Sequence, residues 1–196
     1  MKDIKESKES EESEEIQAPK SELPAPQGIG MAVAFDWGLA VQIFVTPIMA
    51  IFMGQSNSIK IPGVNPTIGN VLLFVIAWPI AAGLAFFGEM VRRGRNWTRN
   101  IQVVANTLLS IGGIISLFSL YNNLKTGNFW PLVTEVILII FSPLIAWRLS
   151  RPSTGRWFKT VTAAEASKRH GGSWIFFIAL WAAAGGILQA IAAMKR

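Results

Sequence analysis

No cysteine occurs in this chain of 196 residues. Disulfide staples, thiolate nucleophiles and cysteine-bound metals are therefore excluded, and the redox compartment leaves no signature. A single histidine, His170, rules out any metal site that needs two imidazoles from one chain. In its basic, glycine-flanked loop it is expected to be solvated. Charge is scarce as well: 15% of residues are Asp, Glu, Lys or Arg, against about a quarter in soluble domains. No GxGxxG, P-loop, HExxH or GxSxG pattern is present, so the signatures of nucleotide, metallohydrolase and serine-hydrolase chemistry are missing. The first 27 residues are hydrophilic where a cleavable signal peptide would carry its apolar core.

What the chain has instead is apolar length. Half of it, 51%, is apolar, and the charges gather in a few short stretches between long apolar runs. Crossing roughly 30 Å of hydrocarbon takes about 20 residues at 1.5 Å rise. Five runs meet that requirement, over about 31–53, 69–91, 101–121, 130–147 and 173–194. One soluble core of this size could not hide them all. The expected fold is all-α: an integral membrane bundle of about five transmembrane helices. Pro47 is expected to kink the first span. Pro131, after Trp130, suits the first turn of the fourth, which is the shortest and carries Glu135.

Residues 1–28 form a separate region, an acidic tail ending in a Pro linker, and residues 29–196 form the transmembrane domain. Lys5-Glu6-Ser7-Lys8-Glu9-Ser10-Glu11-Glu12 typifies the tail, which buries too little apolar surface to offset its chain entropy and is expected to be disordered. Gln55–Thr67 reads as a polar loop punctuated by Pro62 and Pro66. Between the fourth and fifth spans, Trp157, Phe158 and Val161 can share one helix face opposite Lys159, Lys168 and Arg169. Thr162 and Glu165 fit a capping box, and Gly171-Gly172 a stop. The expectation is an interfacial amphipathic helix over 156–170.

The formal charge of +6 and pI near 10.0 reflect topology rather than nucleic-acid binding. The basic loops lack aromatics interleaved for base stacking. The loops after the second and fourth spans carry Arg92, Arg93, Arg95, Arg99 and Arg148, Arg151, Arg156, Lys159, Lys168, Arg169, whereas those after the first and third carry only Lys60 and Lys125. That asymmetry places the basic loops and the N-terminus in the cytosol and the C-terminus outside.

Ionisable and amide groups inside a bilayer are costly and mark candidate sites. Asp36 lies roughly 9 Å deep by helical rise, and Asn106 at a similar depth, with Glu89 shallower. The three could form a polar cluster, or else be dispersed into local pairs: Asp36 with Arg99 or Arg148, and Glu89 with Arg93, four residues on. Glu135 lies roughly 8 Å below the opposite surface, against a vestibule or a neighbouring helix. The carboxylates have neither the spacing nor the common depth of a metal set, so no metal, cofactor or catalytic residue is expected. Small residues recur at four-residue spacing, and Ala182, Gly186 and Ala190 form the longest such stripe. It suits internal packing, or else self-association or a membrane-protein partner.

The turn Gly94-Arg95-Asn96-Trp97-Thr98-Arg99, with Trp147-Arg148-Leu149-Ser150-Arg151-Pro152 and Arg156-Trp157-Phe158, resembles a loose group of small bacterial multi-pass membrane proteins. In that group a Gly-Arg-x-Trp-Ala-Arg turn precedes a span. The resemblance covers residues 69–158; Thr98 stands where the group has alanine, and the fifth span is extra. It implies a bacterial plasma (inner) membrane and carries over no functional residue. The function expected is that of a non-enzymatic subunit, accessory or assembly factor of a membrane complex. The alternatives are a small homo-oligomeric transporter or channel using Asp36 and Asn106, and, third, a lipid-acting enzyme.

Overall fold

Long apolar stretches free of internal turn signals become helices, because in hydrocarbon every backbone N–H and C=O must be satisfied within its own segment. The computed structural model describes residues 26–52 and 66–195, with backbone alone for 66–70. Most of the acidic tail and the loop between the first two spans lie outside the described residues. Seven helices follow: α1 (Ile29–Phe52), α2 (Pro66–Arg92), α3 (Asn96–Lys125), α4 (Pro131–Ser150), α5 (Pro152–Thr160), α6 (Ala163–Arg169) and α7 (Ser173–Met194). No strand occurs among the described residues. α1, α2, α3, α4 and α7 are each long and apolar enough to cross a membrane. α3, at 30 residues, spans roughly 45 Å, more than a bilayer core requires.

α1 is the central element, packed between α2 and α7, while α3 pairs with α4. Backbone proximity on both sides of α1 comes from glycine. A Cβ at Gly186 would overlap the Gly38 carbonyl oxygen and sit 2.8 Å from Val41 Cβ. A Cβ at Gly88 would meet the Trp37 ring at 2.7 Å. On α3, a Cβ at Gly113 would lie 2.7 Å from Leu138 Cβ. α4 is not uniform: Ile137–Phe141 form a π-turn. Pro143, at the start of the segment that follows, offers no N–H to the preceding turn and crowds its carbonyl, which accounts for the local unwinding.

The two short helices close one end of the bundle. Trp157, Phe158 and Ala166 join Ile29, Val33, Val91, Ile145 and Leu149 in the core cluster. The single helix expected over 156–170 is therefore two, broken at extended Val161 and Thr162. At the expected cap, Thr162 Oγ1 accepts from the Glu165 N–H at 3.2 Å. Its apolar face is spent on the protein's own bundle: Trp157 and Phe158 are 1% and 3% exposed.

Arginines fasten this end. Arg92 bonds both Glu89 oxygens, at 2.7 and 2.6 Å, and also donates to the His170 carbonyl at 3.0 Å. Arg99 Nε donates to the Leu149 carbonyl at 2.8 Å, and Arg148 to that of Gln27 at 3.0 Å. Leu149 and His170 stand at the C-terminal ends of α4 and α6, where the last carbonyls have no partner within the helix and a guanidinium satisfies them while favouring the negative end of the dipole; Gln27 precedes α1. The opposite end, by contrast, exposes Phe52, Ile114, Ile115 and Phe118.

Candidate functional site

Three polar residues from two helices meet in the capped half of the bundle. Trp37, seated against Gly88 with its indole N–H donating to the Ala85 carbonyl at 3.2 Å, fixes the rotation of α1 and turns Asp36 inward. Asp36 is 3% exposed. Gln102 Nε2 donates to both its carboxyl oxygens, at 2.6 and 2.5 Å. Asn106 Nδ2 in turn donates to Gln102 Oε1 at 2.6 Å and to the Gln102 carbonyl at 3.0 Å. Both amides thus point their donors toward the carboxyl group, so each bond polarises the next.

The structure links Asp36 to Asn106 through Gln102, without an arginine and without Glu89. Arg99 and Arg148, the alternative partners for Asp36, hold backbone carbonyls instead. Glu89 stands apart from the string, held by Arg92 and, as expected, by Arg93 at 2.7 Å. Glu135 is also separate: it is 6% exposed, and its Oε2 has no hydrogen-bond partner.

Gln102 was missed because it sits at the start of its span, where a polar residue attracts no notice. Its signal was spacing. Thr98, Gln102 and Asn106 recur every four residues and so share one face of an otherwise apolar helix, and all three are buried. Ser142 was missed as well. It is 0% exposed, and its Oγ and the Asn106 Oδ1 both lack partners. Arg99 bonded to Leu149, and Gly113 set against Leu138, fix an antiparallel register that puts Asn106 and Ser142 at about the same level.

His170 corrects the expectation of a solvated loop residue. It is 4% exposed, with its ring 4.7 Å from that of Trp174 and 5.8 Å from that of Trp157. Burial pushes its pKa below the ordinary 6.5. The intervening glycines turn the chain back on itself, with Gly172 at φ +56°, and fold the imidazole under the cap.

The small-residue stripe of α7 packs within the chain, the first of the two readings given for it. Ala182, Gly186 and Ala190 are all buried, because Gly186 is where α7 meets α1. No group of three or more His, Asp or Glu able to hold a metal exists among the described residues.

These elements define a multi-pass, all-helical membrane protein with the polar string Asp36–Gln102–Asn106 buried within the bundle. Comparison with family models, with curated proteins and with solved structures finds no match.

Proposed function

We propose that this chain is a non-enzymatic subunit, accessory or assembly factor of a membrane complex. The observation that carries the reading is the one-sided packing of α3. Its buried residues, Thr98, Gln102, Asn106, Gly113 and Leu120, form a single strip. Leu108, Ile111, Ile115 and Phe118 face away from it, and next to them Gly112 has nothing within 4 Å of where a Cβ would stand. Ile114, Leu117, Phe118 and Tyr121 line a hollow of about 590 Å³ on the same half. A glycine on an uncovered membrane face lets a second helix come close, and association in lipid depends on such packing. The distribution of arginine and lysine favours the capped end in the cytosol, with the N-terminus inside and the C-terminus outside, and the resemblance carried by the Gly94–Arg99 turn implies a bacterial plasma membrane.

The test is purification from native membranes in mild detergent, with the co-eluting chains identified. A reproducible complex that Gly112→Phe disrupts supports the reading; a chain that runs alone at every detergent strength sinks it.

A second reading, a small homo-oligomeric transporter, draws on one specific feature. Asn106 Oδ1, Ser142 Oγ and Glu135 Oε2 are buried without partners on the α3–α4 pair, and the π-turn lies between the latter two. Unsatisfied polar groups in hydrocarbon are expensive, so water or a proton entering the seam would relieve them. Flux in proteoliposomes that Asp36→Asn abolishes, with the fold intact, is its expected result; unchanged flux removes Asp36 from the path.

A further inference from the structure

Two hollows on the α1–α7 side share a wall. One, of about 360 Å³, lies between α1, α4 and α7. Its lining is apolar, with Phe35, Phe141 and Trp181 among it, and the amide of Gln189 lies deepest along α7. The other, of about 410 Å³, sits at the capped end with Gln27, Arg169, His170 and Trp174 in its wall. Gly30, Met31 and Ile178 line both, so the two are consecutive chambers of one groove. From Trp174 to Gln189 the helical rise amounts to roughly 22 Å, enough to run from the interface through one leaflet of a hydrocarbon core about 30 Å thick.

The mouth differs in chemistry from the shaft. His170 is 4% exposed and its Nδ1 has no partner. A third hollow shares Pro26 and Gln27 with the mouth and adds Arg148 and Arg151. Arg169 pairs with Glu165 at 2.6 Å, Arg148 donates to the Gln27 carbonyl at 3.0 Å and Arg151 lies over the Trp147 ring; among the described residues these two hollows are thus lined by three arginines and no carboxylate.

We infer that the groove is a binding site for a membrane phospholipid with an anionic headgroup, one acyl chain lying in the apolar chamber and the headgroup among His170, Arg148, Arg151 and Arg169. An apolar concavity with a few convergent polar groups at one end is the form of a specific ligand site, and basic pockets at the cytosolic ends of helices select anionic headgroups. The site does not depend on the proposed role in a complex.

The full chain, reconstituted in lipid discs containing equal phosphatidylglycerol and phosphatidylcholine, is analysed by native mass spectrometry for retained lipid. Phosphatidylglycerol should be retained at one per chain with a preference of about tenfold, equivalent to roughly 1.4 kcal/mol. Inorganic phosphate at millimolar concentration should not displace it. Gly185 lines the apolar chamber, and a Cβ there meets nothing within 4 Å. Gly185→Phe should therefore fill the chamber, keep the fold and cut retention by about tenfold. Gly112→Phe, outside the groove, should retain lipid normally. Should Gly185→Phe fail to fold, Ala34→Leu narrows the same chamber from α1. His170→Ala with Arg169→Ala should erase the headgroup preference. Equal retention of the two lipids, or undiminished retention in a folded chamber-filling variant, overturns the site. Displacement by phosphate alone reassigns the mouth to a free anion and overturns it equally.

Discussion

The two ends of this bundle are built on different physics. At the capped end, helices are held by groups that have something to lose in hydrocarbon. Asp36 is held by Gln102, Arg99 by the Leu149 carbonyl, and Arg92 by Glu89 and the His170 carbonyl. Around these bonds a continuous core runs from Ile29 to Ala166. At the open end, α1 buries nothing beyond Ala40 except Pro47, and Phe52 and Phe118 are 85% and 82% exposed. In water such exposure would be an aggregation hazard. In lipid it is not, because hydrocarbon solvates a phenylalanine as well as a neighbouring helix does. Only small residues and polar pairs then draw helices together.

The contrast can be broken hardest at the glycine pair on α3. Gly113→Leu drives a side chain into Leu138, whose Cβ lies 2.7 Å from the added carbon, and should cost about 3 kcal/mol. Gly112→Leu, one residue away in open space, should leave the melting temperature of the detergent-solubilised monomer unchanged. If both variants melted alike, the packing of α3 on α4 described above would be wrong.

Next in size is the polar string. Asp36→Leu leaves the Gln102 amide buried without its acceptor and should destabilise by about 2 kcal/mol. Asp36→Asn keeps an acceptor oxygen and should cost less. Glu135→Leu, at the open end, should go the other way and stabilise by about 1 kcal/mol, since it removes a buried carboxyl whose Oε2 is unpartnered. Denaturant titration of the three variants compares the polar groups of the two ends directly. A destabilised Glu135→Leu would mean that this carboxyl supports the fold.

Arg92→Lys gives up the two-pronged grip on Glu89 and the reach to the cap and should cost about 1.5 kcal/mol. Loss of protection in the 152–170 segment, read by hydrogen exchange, should accompany it. At the open end Ile115→Ala, exposed by 68%, should stay within about 0.5 kcal/mol.

The smallest effect expected is a pH dependence confined to the cap. His170 has its folded pKa below the ordinary 6.5 because burial disfavours the imidazolium. The unfolded chain then binds the proton more readily, so the contribution of neutral His170 is complete above about 6.5 and declines as pH falls below it. The melting temperature of the natural protein should drop more between pH 7.5 and 5.5 than that of His170→Gln. Equal drops would take His170 out of the account.

Much of this molecule was legible along the chain because membrane spans are written in consecutive residues. Five apolar runs gave five helices, with α7 matching its expected bounds and α3 extending several residues past them at both ends. Glu89 with Arg93 was legible too, since four residues along a helix is a local distance. Gln102, Ser142 and His170 were not, because their burial depends on which face of which helix turns inward.

By itself, then, the sequence determined the number of membrane spans and roughly where each lies, since hydrocarbon thickness and backbone hydrogen bonding act on each segment alone. Tertiary structure decided the rest: that Asp36 meets an amide rather than an arginine, that Gly186 is consumed against Gly38, and that a groove opens between α1 and α7. These outcomes turn on helix rotation and register. In lipid no general burial of apolar faces fixes either, so they are settled by the few sites where glycines let backbones touch and polar groups find partners.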